Sequence, residues 1–234
     1  MSGNPFSEEL TADNCIFMMI DHQVGLLQFL PSIDPMILKN NILGHAKTAK
    51  AFGIPTVLGT SWPQGPNGPT LPELVDLFGK EQIIDRPTVN FWNDQTSRAK
   101  VKSYGRRKLV ISGLATEVCV AFPSLAAVQE DYDVYAVMDA SSDFNPLITQ
   151  VTMQRLASAG VVVTTWVAVL AELASNTQIN GKFIGNLLKE HCGQYAASWD
   201  NFIGTAKSAD TVTKQLGLYA AKEPINYATM NTPT

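Results

Sequence analysis

The sequence predicts an α/β protein built on a doubly wound parallel sheet with helices on both faces. Three observations carry this expectation. Short, continuous apolar runs alternate with segments of helical period along most of the chain. The first of them, Cys15–Ile20, is unbroken by polar residues, as a strand buried on both faces is. No internal repeat is present, and no linker is rich enough in Pro, Gly or Ser to mark a second domain. A chain of 234 residues with 45% hydrophobic content is long enough for one large α/β domain.

The first strand is Cys15–Ile20 (CIFMMI), which ends at Asp21. Between Pro35 and Phe52, Leu38, Ile42, Ala46 and Ala49 recur at helical spacing, and Gly53 stops that helix. Ile54–Thr60 is the second strand, followed by the Pro/Gly-rich loop Ser61–Pro69 and a short helix at Leu71–Phe78. Gln82–Asp85 forms a brief third strand closed by Arg86-Pro87. Asn93–Tyr104 reads as a polar helix and Lys108–Ser112 as the fourth strand. Thr116 is placed to cap a helix running from Glu117 to about Gln129, with Val118, Ala121, Phe122 and Leu125 on one face. Asp133–Met138 is the fifth strand, Pro146–Ala159 a helix, Val161–Thr165 the sixth strand, and Ala168–Leu173 a short helix. Beyond Asn176 one helix stands out, with Ile184, Leu187, Leu188, His191 and Tyr195 on one stripe. The expected organisation is a sheet domain over 1–175 and a helical C-terminal extension over 176–234, packed on the same domain or on a neighbouring subunit.

Composition narrows the function. Charged residues make up 16% of the chain and the formal net charge is −4, against roughly 25% charged in an ordinary soluble domain. Lys and Arg are scattered, so no basic stripe exists to displace counterions from phosphates, which argues against nucleic acid as a partner. No apolar run approaches the ~18–20 residues that span a bilayer, which argues against membrane insertion. The opening MSGNPFSEEL has no basic region followed by a hydrophobic stretch, so no secretory leader is expected and a cytoplasmic location is. Cys15, Cys119 and Cys192 are widely spaced, as are His22, His45 and His191. They form neither a disulfide framework nor a metal-ligand cluster, and no metal or other cofactor is expected. No G-x-G-x-x-G follows the first strand and no phosphate-binding loop is present. A charge-poor surface favours self-association.

In a doubly wound sheet, sites form at the carboxyl ends of the strands. Those ends supply Asp21, His22 and Gln23 from the first strand, Arg86 from the third, and Gly113 through Cys119 from the fourth. Cys119 falls in the first turn of a helix, where free N–H groups stabilise a thiolate and could later hold an oxyanion. Most free cysteines are instead small buried hydrophobes; the Gly113-Leu-Ala-Thr-Glu-Val turn favours the nucleophile. Asp21 is either a loop acid at a strand–helix junction or the base that takes the Cys119 proton. Arg86 either pairs with Asp85 or a surface acid, or holds Asp21 and favours a thiolate. A cation at ~4 Å is worth a few kcal/mol at an effective dielectric near 20, or at most two to three pK units on the thiol. His22 points away from Asp21's side, which suits a structural role. Phe91 and Trp92 either wall an apolar pocket or pack in the core. Gln23 and Asn90 are candidate substrate contacts, and Trp62, Asn67, Phe144 and Asn145 are candidates for the rim. Cys15 and Cys192 lack the setting of a reactive thiol.

Taken together, MIDHQVGLL at the first strand, DRP after the third and SGLATEVCVAFP after the fourth resemble the isochorismatase-like cysteine hydrolase superfamily. The GPNGP loop, the stretch NFWN and the segment DASSDFN are most similar to its YcaC group. The resemblance runs from about Asp13 to Trp166. It implies a six-stranded three-layer sandwich of strand order 3-2-1-4-5-6 and an Asp–Lys–Cys triad falling on Asp21, Arg86 and Cys119. Arginine stands where the superfamily usually has lysine; it keeps the charge and acts as a clamp, not a proton donor. The resemblance also implies a cis peptide at Leu114–Ala115, with the Ala115 and Cys119 N–H groups as oxyanion hole, and a homo-oligomer, tetramer or octamer, of stacked rings. Nicotinamidases share the GLAT turn but carry an acid and two histidines in the loop after the second strand, and Ser61–Pro69 has neither. Isochorismatases proper lack the cysteine.

The leading expectation is a metal-independent cysteine hydrolase cleaving a small amide or related carbonyl compound through a Cys119 thioester. Its rivals are a thiol-based redox or stress protein using Cys119, and a non-catalytic oligomeric scaffold.

Overall fold

All six apolar runs become parallel strands of one sheet in the computed structural model, which describes residues 8–216. The N-terminal leader reading in part, and the end of the C-terminal extension beyond 216, lie outside the described residues. The strands are β1 (Cys15–Ile20), β2 (Thr56–Thr60), β3 (Ile83–Asp85), β4 (Lys108–Gly113), β5 (Asp133–Val137) and β6 (Val162–Thr164), in the order β3-β2-β1-β4-β5-β6. Every pairing is parallel, so all carboxyl ends meet at one edge. The two central strands, β1 and β4, are buried along their whole length. Ile16, Met18, Ile20, Leu109 and Ile111 form the heart of the core.

The helices of the sheet unit are α1 (Val24–Phe29), α2 (Pro35–Ala51), α3 (Pro72–Phe78), α4 (Gln95–Ser103), α5 (Ala121–Val128), α6 (Pro146–Ser158) and α7 (Trp166–Ala174). Three begin at a capping side chain. Asp34 accepts from the N–H groups of Met36 and Ile37, Asp94 from that of Ser97, and Asn145 from that of Ile148. Pro35 and Pro146 supply a first helical residue whose missing N–H has no intrahelical partner to lose.

The structure departs from the sequence reading in three places. α1 was not expected: its six residues carry no cap and none is buried. Thr116 is not a helix cap. The chain from Thr116 to Val120 forms a π-helical turn that leads into α5, and Thr116 is buried with its hydroxyl unpartnered among the described residues. Among the described residues the C-terminal region holds two helices, α8 (Thr177–His191) and α9 (Gly193–Leu216), not one. The expected stripe is cut at Cys192, and Tyr195 belongs to α9, where it stacks on Trp199. The described residues divide into two compact units, one ending at Leu173 and the other beginning at Ala174.

Candidate active site

Asp21, Arg86 and Cys119 come from three different strand ends and meet in one buried cluster. Arg86 grips Asp21 with both prongs of its guanidinium: Nη1 donates to Oδ1 and Nη2 to Oδ2, each at 2.8 Å. The Cys119 thiol donates to Oδ2 at 2.9 Å. Asp21 is 1% exposed, Arg86 2% and Cys119 7%. Such a bidentate, charge-assisted pair fixes the carboxylate in both position and plane.

The backbone brings the acid and the thiol together. Asp21 leaves β1 in the left-handed region, with φ of 58°, an uncommon conformation for a side-chain-bearing residue and one that clusters at functional sites. Its N–H donates to the Gly59 carbonyl at 2.8 Å. Beside it, Gly113 ends β4 in the only form that fits. A Cβ there would stand 2.7 Å from the Ile20 carbonyl oxygen and 3.4 Å from the Cys119 Cβ. The Leu114–Ala115 peptide is cis.

Arg86 is supported from below by Phe91, whose ring centroid lies 5.4 Å from the guanidinium carbon. Gly59 makes room for that ring, since a Cβ there would lie 2.9 Å from it. Nη2 also donates to the Val89 carbonyl at 3.3 Å. Nε is buried and has no partner among the described residues. Burial opposes the Arg86 charge, but the bonds and charge of Asp21 outweigh it and hold the guanidinium protonated.

The thiol behaves differently from the sequence expectation. Burial, first, and then the Asp21 charge and hydrogen bond push the Cys119 pKa well above its ordinary value; Arg86 and the Ala115 N–H pull it down by less. Cys119 therefore rests as a thiol hydrogen-bonded to a carboxylate, not as a preformed thiolate. Its own N–H does not stand free either, because it donates to the Ala115 carbonyl at 2.7 Å. Of the two residues expected to form an oxyanion hole, Ala115 is the one whose backbone lowers the thiol pKa by a hydrogen bond.

Several other expected contacts are used elsewhere. Gln23 is fully buried, and its amide donates to the Ser61 and Gly68 carbonyls while accepting from the Ser61 N–H. It holds the loop after β2 in place and presents nothing to a ligand. Trp92 is a core residue, donating to Glu130 at 2.9 Å and meeting Tyr132 edge-on. Phe91 lies under Arg86 and is wholly buried. Asn90 accepts from the Trp92 N–H and so shapes the turn between β3 and α4. His22 is buried and bonded to the Ala140 carbonyl at 3.0 Å.

A cavity of about 470 Å³ opens beside the cluster, lined by Ser61, Trp62, Asp85, Arg86 and Pro87. Trp62 is 64% exposed and stands at its edge as expected. Phe144 is 57% exposed at the same edge of the sheet but outside this lining. Asp85 was missed as a cavity residue. The DRP motif could have signalled it, because a guanidinium taken by Asp21 leaves its neighbouring acid unclaimed.

A six-stranded parallel sheet of order 3-2-1-4-5-6 with helices on both faces is the architecture of the isochorismatase fold. Residues 15–168 match that domain family, and the chain belongs to it. It is similar to the probable hydrolase YcaC of Escherichia coli, with 38% identity over 207 residues, covering 88% of this chain and 96% of that protein. The solved YcaC from Pseudomonas aeruginosa, described with hexane-2,5-diol and covalent acrylamide, superposes with a TM-score of 0.82 at 36% identity, covering 84% and 98% of the two chains. The Escherichia coli YcaC structure, described as an octameric hydrolase of unknown specificity, gives the same TM-score and identity over 84% and 97%. The chain is thus an isochorismatase-family, YcaC-like hydrolase. No helix among the described residues is long and apolar enough to cross a membrane.

Proposed function

We propose that the protein is a cysteine hydrolase of small amide-type or related carbonyl compounds, working without a metal. The observation that carries this reading is the thiol of Cys119 donating to the very carboxylate oxygen that Arg86 orients. Asp21 takes the thiol proton as the sulfur attacks the carbonyl carbon, so the unfavourable free thiolate never accumulates. The developing oxyanion accepts from the Ala115 N–H, a kind of contact worth about 10²–10³ in rate where it has been removed. Protonated Asp21 then passes its proton to the leaving nitrogen, the C–N bond breaks, and a Cys119 thioester remains. Water, deprotonated by Asp21, attacks that thioester, and the thiol is restored. Arg86 never exchanges a proton; it holds the Asp21 carboxyl group in position and aimed through both Nη atoms.

The covalent acrylamide described in the Pseudomonas aeruginosa relative supports a nucleophile in this fold. The raised thiol pKa favours hydrolysis over redox sensing, because sensor cysteines are low-pKa and accessible. All three cysteines are free, which supports a reducing, cytoplasmic setting. Screening a panel of small amides with the wild type and Cys119→Ala tests the reading: turnover should vanish in the variant. Undiminished turnover by Cys119→Ala would end it.

The reading includes a homo-oligomer. Phe144, Leu147 and Val151 expose an apolar stripe at the start of α6, with Leu147 and Val151 one turn apart. The octameric relative supports assembly. Sedimentation should find a species larger than a monomer that Leu147→Lys shifts downward. A stable wild-type monomer at micromolar concentration would contradict it.

A further inference from the structure

The cavity beside the cluster carries a charge logic of its own. Because every strand is parallel, the segments 21–30, 60–71, 85–95, 113–120 and 137–145 all lie at the carboxyl edge of the sheet. They carry Asp21, Asp85, Asp94, Glu117, Asp139 and Asp143, and against these acids the sole Lys or Arg is Arg86. That one cation is neutralised by Asp21 through both Nη atoms, and of its donors only the buried Nε–H is without a partner among the described residues. Asp94, Asp139 and Asp143 are spent as well, accepting from the N–H groups of Ser97, Trp166 and Glu117. Asp85 is exposed and faces the cavity without a claim on the guanidinium next to it in sequence. Trp62 lines the same cavity, with its indole packed on Gly65 and a left-handed φ of 49°. A carboxylate and an exposed indole on one mouth form the pair of groups that holds an organic cation, by Coulomb attraction and by the ring quadrupole. An anionic substrate entering the same mouth finds no free cation among the lining residues and meets Asp85 instead.

We propose that this mouth selects substrates by charge: it takes carbonyl compounds bearing a cationic group, an ammonium or guanidinium, distal to the carbon attacked, and turns away carboxylates and phosphates. Asp85 and Trp62 are its specificity-determining residues. The inference rests on the assignment of Cys119 as nucleophile, and its test separates the two.

The probes are three methanethiosulfonates of similar size, with trimethylammonium, hydroxyethyl or sulfonate tails. The Cys119 sulfur, its proton passing to Asp21, attacks the thiosulfonate sulfur; a disulfide forms, the S–SO2 bond breaks and methanesulfinate leaves. Modification of Cys119 is followed by peptide mass spectrometry on the full-length protein, and each rate is divided by that of glutathione with the same reagent. The cationic reagent should outpace the anionic one by about tenfold in the wild type, for one charge within a Debye length at the protein surface. The ratio should fall severalfold in Asp85→Asn and in Trp62→Ala, and shrink at high salt. A wild-type ratio of one or less, or a ratio unchanged in Asp85→Asn, overturns charge selection while leaving the nucleophile standing. Failure of all three reagents to modify Cys119 overturns the nucleophile assignment and the inference with it.

Discussion

Replacing Arg86 with Met removes one half of a buried ion pair and leaves the other. The pair is bidentate at 2.8 Å, and the two side chains are 1% and 2% exposed. Asp21 would then remain ionisable in the interior with only the Cys119 thiol to hold it. Breaking a buried pair by removing one partner costs about 3–5 kcal/mol. For a domain of this size each kcal/mol lowers Tm by roughly 2–4 °C, so the expected drop is roughly 6–20 °C. The double variant Asp21→Asn/Arg86→Met leaves no stranded charge and should recover more than half of the loss. Differential scanning at fixed protomer concentration reads both, since assembly makes Tm depend on concentration. A loss below about 1 kcal/mol, the worth of an exposed pair, or a double variant as unstable as the single one, would refute the reasoning.

Three further outcomes follow from the same geometry. Alkylation of Cys119 by iodoacetamide should rise with pH along a curve displaced above the ordinary thiol range, and Asp21→Asn should move that curve down, because the Asp21 charge helps hold the proton on sulfur. A curve that stays in place or moves up would contradict the coupling. Burial lowers His22 to about 4 and His45 to about 3, while both titrate near 6.5 in the unfolded chain. The unfolded state then binds more protons below pH 6.5, so stability should fall from there toward pH 4, by roughly 3 kcal/mol for His22 alone; denaturation followed against pH checks it. Gly113→Ala should cost about 1–3 kcal/mol through overpacking against the Ile20 carbonyl and slow Cys119 modification, read by melting and by alkylation rate.

What the sequence revealed and concealed divides along a physical line. β1 was legible to the residue because Cys15–Ile20 is continuously apolar and ends in a charge. The cluster was legible because strand ends of a parallel sheet converge, so Asp21, Arg86 and Cys119 needed no long-range contact to be nominated. Residues whose role depends on a distant partner were left with open alternatives, as Trp92 was between pocket wall and core, or were read without that partner, as Gln23 was. Gln23 reaches Ser61 and Gly68 in the loop after β2, and Trp92 reaches Glu130, just past α5. The thiol was misread because helix-start logic is local, whereas burial, which dominates its pKa, belongs to the whole fold. α8 and α9 were merged although Gly193 carried the signal to separate them.

The central claim is that Cys119 carries the acyl group during turnover. The most direct measurement is peptide mass spectrometry after acid quenching of the protein incubated with a hydrolysed amide or a metabolite extract. The account predicts a mass increment on the peptide containing Cys119, discharged by neutral hydroxylamine as a thioester is and absent from Cys119→Ala. An increment confined to Cys15 or Cys192, or turnover that persists with no adduct on Cys119, would contradict it.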